Sequence, residues 1–271
     1  MRCTRLLVAV SFTLGALAGF SASAQSTKTP KQVVDAMVSH EYTAEKSLRL
    51  FLYISEERSE RTAGRLWTER VAETPVGKIK MLIAEDGQPL SADRAATERA
   101  RINAIAEHPE AFEKSAASLK NDEKHAREML NLLPKAFVLD GMRDEGGFLH
   151  INFRPDPAYA PQSMEERVIH GMSGNLVVDE HEMRLHSIEG RLPADVSIGF
   201  GLATIRAGSN FSTTRSRVLG DEWKTVAVDT DINGRVIFLK SIGKQQHAVH
   251  HDFKPLPDSI TVQQAVAALL R

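Results

Sequence analysis

The chain has 271 residues, 42% of them hydrophobic and 25% charged, a composition that fits a globular protein with a real core and excludes a disordered or fibrous one. Lys and Arg number 34 against 35 Asp and Glu, and the pI is about 6.8, so there is no whole-molecule field to hold nucleic acid or an anionic membrane. At this length roughly three quarters of the unfolded surface can be buried, so folding needs neither disulfide nor metal.

Met1 to Ala24 carries Arg2 and Arg5, an apolar run from Leu6 to Ala18, and Ala22-Ser23-Ala24 before Gln25. This three-part pattern predicts an export signal cleaved after Ala24; the apolar run is too short to span a bilayer. Cleavage leaves 247 of the 271 residues, with 32 basic against 35 acidic ones and a net charge of −3. The one cysteine, Cys3, goes with the signal, which excludes disulfides, zinc-thiolate sites and a cysteine nucleophile from the mature chain. A soluble periplasmic or secreted protein is expected.

Residues 25–271 are expected to form a single domain. Thr29-Pro30-Lys31-Gln32 places a hydroxyl N-cap, a proline at the first helical position and a reciprocal Gln. Val33, Val34, Met37 and Val38 then repeat at helical spacing, predicting a short amphipathic helix that ends near His40. From Lys46 the period becomes two: Leu48, Leu50, Leu52 and Ile54 on one face, Arg49, Phe51, Tyr53 and Ser55 on the other. Strands are expected at 65–73 and 78–85 before Asp86-Gly87-Gln88-Pro89 breaks the pattern.

Ser91 to Leu133 reads as an inserted helical segment, divided at Pro109, with Asn121 a candidate cap for a third helix. It is either a solvated hairpin or a lid over a cavity. Strands return at 136–144 and 148–154 around Glu145-Gly146-Gly147, and Ser163-Met164-Glu165-Glu166 opens a short helix. Further strands are expected at 175–178, 183–191, 201–206, 210–219, 223–229 and 235–242, with Asn233-Gly234 as the turn of the last hairpin. Thr261-x-x-Gln264 begins a final helix. The pattern predicts an α+β fold: one large curved antiparallel sheet, an incomplete barrel, closed by terminal helices.

Catalytic and metal chemistry find little support. His181 and His186 lie five apart across a turn, and His247, His250 and His251 meet no ligand-spacing rule. Asp229, Asp231 and Asn233 lack the closing Glu of a calcium loop and fit a hairpin turn. No HExxH, Gly-x-Ser-x-Gly or phosphate loop occurs, so no catalytic residue, metal or cofactor is expected. Aromatic and methionine side chains fall on both strand faces, however, so both faces need cover. They are either a packed core or the lining of an apolar cavity.

The order of a signal peptide, an amphipathic helix at Pro30 to Ser39, long strands, a helical insertion and a closing Phe253-Lys-Pro-Leu-Pro-Asp-Ser-Ile-Thr-Val262 resembles the periplasmic lipoprotein carriers of the LolA and LolB type. The stretch from Phe153 to Asp179 is also similar to exported bacterial proteins grouped with that superfamily. The resemblance implies an incomplete antiparallel barrel with an apolar cavity for acyl chains and no catalysis. The charged block at Ser91 to Leu133 departs from the carriers. The expected function is a non-enzymatic carrier of lipid or lipoprotein acyl chains, with Leu50, Leu52, Trp67, Met81, Phe137 and Phe153 lining the cavity and Arg49 at its edge. The alternative is an envelope sensor or scaffold that binds a protein partner through the insertion.

Overall fold

A computed structural model describes residues 28–45, 49–198, 203–236 and 241–271. The predicted signal, Leu48, Gly199 and Gly201 lie outside the described residues. The chain runs α1 (Pro30–Glu45), β1 (Phe51–Ser59), β2 (Leu66–Glu73), β3 (Lys78–Glu85), β4 (Gln88–Pro89), α2 (Ala92–Glu107) and α3 (Pro109–Ala136). It continues as β5 (Phe137–Asp144), β6 (Phe148–Pro155), α4 (Met164–His170), β7 (Ser173–Asp179), β8 (Arg184–Arg191), β9 (Val196–Ile198) and β10 (Ala203–Ile205). It ends with β11 (Asn210–Leu219), β12 (Glu222–Val236), β13 (Ser241–Pro255) and α5 (Val262–Leu270).

All strands join one antiparallel sheet in the order β4-β3-β2-β1-β13-β12-β11-β8-β7-β6-β5, with β10 and β9 attached beside β12. The sheet is open and does not close into a barrel. Directly paired residues share a face, so the pairings Ser55 with His250, Val228 with Ala248, Thr213 with Val228, Ile188 with Thr213 and Leu176 with Ile188 trace one face across the sheet. That face is concave. Val218 of β11 packs against the Phe51, Tyr53 and Val71 cluster of β1 and β2, although at least three strand spacings, about 14 Å on a flat sheet, separate them.

The helices cover the two halves of the sheet on opposite faces. On the inner, concave face, α1 and the end of α3 pack on β5 to β8: Val33, Val34 and Met37 are fully buried against Leu149, Ile151, Phe153, Leu176 and Ile188. On the outer face, α5 and α2 pack on β2 and β3, where Val262, Ala265, Val266, Leu269 and Ile102 meet Ala72, Ile79 and Met81. Helix α2 also protects the edge of β3: Glu98 accepts from the Leu82 N–H at 2.8 Å and Arg101 donates to the Lys80 carbonyl at 2.5 Å. Close packing on the inner face needs Gly174, since a Cβ there would stand 1.9 Å from the Glu189 carbonyl oxygen of β8.

The predicted caps form: Thr29 and Gln32 bond reciprocally, as do Thr261 and Gln264, and Ser163 caps α4. Three expectations are corrected. Helix α1 continues past His40 to Glu45, because Glu41 is held by the sheet. Helix α3 runs unbroken through Asn121 and takes Pro134 into its last turn, where the lost hydrogen bond is offset by burial of Leu132, Leu133 and Ala136. Asn233 and Gly234 pair with Gly243 and Ile242 inside a long ladder, so they do not form the turn; the chain reverses between Val236 and Ser241. The polar segment Gly243 to His251, unassigned from its pattern, is the core of β13, the strand that joins β1 to β12.

The insertion belongs to the core at both ends. Ile102 of α2 is fully buried in the outer cluster, and Leu133 of α3 is 2% exposed in the inner one.

Candidate functional site

The inner face changes character along the sheet. Over β5 to β8 and β11 it is apolar, carrying Phe137, Leu149, Ile151, Phe153, Leu176, Ile188 and Phe211 beneath α1. Over β1 to β3, β13 and the start of β12 the same face carries charge, and among the described residues its Phe51, Tyr53 and Val71 cluster is joined by Val218 and Phe253 of the sheet and by no helix.

That charged half is a network of buried carboxylates. Glu57 and Glu69, 5% and 3% exposed, both bind the Arg61 guanidinium: Nη2 is 2.6 Å from Glu57 and 2.7 Å from Glu69, while Nη1 donates to Glu69 at 3.0 Å. Ser59 donates to Glu57 at 2.7 Å, and Lys80 adds contacts of 3.3 Å to Glu57 and 3.8 Å to Glu69. Burial acts to raise the Glu57 carboxyl, but hydrogen bonds from Arg61 and Ser59 and the charges of Lys80 and Arg61 bring it down to about 2. Glu73 accepts from Lys224 at 2.8 Å and from the Phe51 N–H at 3.1 Å. Lys224 also donates to the Arg49 carbonyl and lies 4.9 Å from the Phe51 ring centroid.

Aromatic rings stand among these charges. Tyr53 stacks on Phe253 at 5.0 Å and meets His250 edge-on at 5.3 Å. Phe253 and His250 are three residues apart and share a face because β13 bulges at Asp252, whose φ of 58° is left-handed. Burial raises the Tyr53 hydroxyl, and the three glutamates add to the shift. Burial, helped by Lys78 and Lys80, lowers His250 to about 4, so its imidazole is neutral at pH 7. Ser55 is fully buried between Glu69 on β2 and His250 on β13, its direct cross-strand partners. Ser55 Oγ and His250 Nδ1 have no hydrogen-bond partner among the described residues.

A second ionic cluster fastens α1 to the inner face. Glu41 accepts from Arg184 at 2.9 Å, from the Leu185 N–H at 3.0 Å and from Arg215 at 2.5 Å. Burial acts to raise its carboxyl, but the two arginines hold it below the ordinary carboxylate range. Nearby, Glu182 binds Arg217 and the Trp223 indole, and its carbonyl contacts the His40 ring at 2.9 Å.

The residues singled out from the sequence fall in three places. Phe137 and Phe153 meet edge-on at 5.3 Å in the apolar inner core. Leu50, Leu52 and Met81 lie together on the outer face under α5 and α2. Trp67 lies on the charged inner half, donating to Glu85 at 3.0 Å under the Arg61 guanidinium, and Arg49 is exposed beside Lys224. Alternation alone does not say which face is concave, so apolar residues of both faces share the expected lining.

A cavity of about 750 Å³ adjoins the charged inner half, with Ser59 of the Glu57 network in its lining. Arg58, Glu60, Asn210, Asp231, Gln245 and His247 also line it, from the end of β1, the start of β11 and the interiors of β12 and β13. His247 contacts Asp229 at 2.5 Å there and points away from His250. Among the described residues no group of three or more His, Asp or Glu side chains is placed to hold a metal ion, and no helix is long and apolar enough to cross a membrane. No protein-family model, curated protein or solved structure matches the chain.

Ser55, the three glutamates and Glu41 were not singled out from the sequence, and His250 was weighed there only as a metal ligand. Glu57 continues the period-two face that begins at Phe51, and Glu69 and Glu73 flank Val71 at the same spacing, so the signal was a strand face turning from apolar to acidic.

Proposed function

We propose that this protein is a non-catalytic periplasmic carrier of amphiphilic, acyl-bearing molecules, exported by the segment Met1 to Ala24. The observation that carries the proposal is the division of one concave face into an apolar half under the N-terminal helix α1 and a charged half beside it. An acyl chain matches the first and a polar head group the second. Each methylene sequestered is worth about 0.8 kcal/mol, so one long chain competes with the apolar face of α1. On this proposal Phe137 and Phe153 line the receiving surface, whereas Leu50, Leu52 and Met81 lie on the outer face of the other half of the sheet, behind the charged strands.

The test is native mass spectrometry of protein exported by its own signal and purified without detergent, with titration of a fluorescent fatty acid. A mass beginning at Gln25 with a lipid-sized adduct, or saturable probe uptake, is the expected result. A bare mass with no uptake refutes the carrier function.

A further inference from the structure

A buried polar group without a partner costs free energy comparable to a lost hydrogen bond, so two of them on cross-strand neighbours call for a ligand group that serves both. Ser55 Oγ and His250 Nδ1 are such a pair: both atoms are buried, the residues are directly opposed on adjacent strands, and both lie on the inner face. Directly opposed residues keep their Cβ atoms about 4.5 to 5.5 Å apart, a spacing that one bridging oxygen can span. We propose that Ser55 and His250 form a recognition site for a hydroxyl of an uncharged head group, such as that of an acyl glyceride. This rests on the carrier function proposed above and names the ligand class.

The chemistry of the surroundings selects a neutral group. The carboxylates nearest the pair already have cationic partners: Glu57 and Glu69 hold Arg61 and Lys80, and Glu73 holds Lys224. These three carboxylates therefore present no free charge to an ionic head group. A serine hydroxyl donates and accepts, and a neutral imidazole nitrogen does either according to tautomer, so the complement is a group that also does both. A hydroxyl qualifies; an ester oxygen only accepts. The exposed members of the adjoining network are the long side chains of Arg61 and Lys80, 41% and 37% exposed, whose rotation opens the corner without moving a strand.

The experiment is competition against a bound fluorescent acyl probe by three molecules with the same chain: 1-oleoyl-glycerol, methyl oleate and oleate. The wild-type chain is expected to bind the glyceride at least about tenfold more tightly than the methyl ester, the worth of one or two hydrogen bonds made in a buried site. Ser55→Ala and His250→Phe, each checked for cooperative unfolding, should each cut that ratio below about threefold, with the loss falling on the glyceride. Equal wild-type affinity for glyceride and ester overturns the hydroxyl site and leaves the carrier function standing. So does a preference for oleate, or variants that lower both affinities alike. Binding of none of the three refutes the carrier function itself, and the site with it.

Discussion

Replacing Glu41 with alanine tests how α1 is held on the concave face. The substitution leaves Arg184 and Arg215, 9% and 16% exposed, without their shared carboxylate, and frees the Leu185 N–H. Breaking a buried ion pair by removing one partner costs about 3 to 5 kcal/mol, because the remaining charge stays desolvated. With a urea m-value of about 3 kcal/mol per molar, the unfolding midpoint should fall by about 1 to 1.7 M. The helix itself should remain docked. Val33, Val34, Met37 and Val38 are buried on the sheet, and at about 1.5 to 3 kcal/mol each they outweigh the lost clamp. Circular dichroism through a urea titration supplies the midpoint. Adding Arg184→Met and Arg215→Met to Glu41→Ala should recover more than half of the loss, since apolar replacement of a whole buried ionic triad is close to neutral. A Glu41→Ala shift below about 0.3 M, or a triple variant less stable than the single one, would refute the clamp.

Two further predictions concern acid and the two faces. Because His250 is lowered to about 4 in the fold, its stabilising effect is complete above its unfolded value near 6.5 and is lost as pH falls from there toward 4. Glu57, depressed to about 2, and Glu41 act below that window, with stability lost as they protonate. Urea midpoints from pH 7 to pH 4 should therefore decline in the wild type and flatten in His250→Phe; parallel curves would remove His250 as the cause. Phe153→Ala and Leu52→Ala should both destabilise the fold, the first by about 3 to 5 kcal/mol and the second by about 2 or more. In the acyl-probe assay only Phe153→Ala should change affinity, because Leu52 lies on the outer face; an effect of Leu52→Ala alone would reverse the assignment of faces.

What the sequence made legible was local. The caps at Thr29, Ser163 and Thr261, the break at Pro109 and the turn at Glu145-Gly146-Gly147 are decided within a few residues, and the structure has them at those places. Strand β13 escaped because Lys244 to His251 shows no apolar alternation; its position is set by its neighbours β1 and β12, which no window of its own sequence contains. The Asn233-Gly234 signal failed for the same reason, as Arg235 and Gly234 continue to pair with Ser241 and Ile242 beyond it. The candidate site was the least legible part. Ser55 and His250 are 195 positions apart in sequence, and the bulge at Asp252 fixes which face His250 takes.

The charged half of the inner face also bears on why the fold is unique. Buried ion pairs contribute little net stability against apolar replacements, so Glu57, Glu69 and Arg61 are poorly explained as a source of it. Their effect on pairing is larger. A one-residue slip of β1 against β2 would carry Glu57 to the outer face, away from Arg61 and Lys80, and bring Leu52 to the inner one. The slipped state loses the Glu57 ion pairs, whereas an all-apolar strand would tolerate either register. The apolar residues on the outer face thus supply the cohesion of β1 to β3, and the acidic residues on the inner face decide how those strands align. The alignment in turn sets Ser55 against His250, so the same charges that specify the sheet bring together two groups without a hydrogen-bond partner among the described residues.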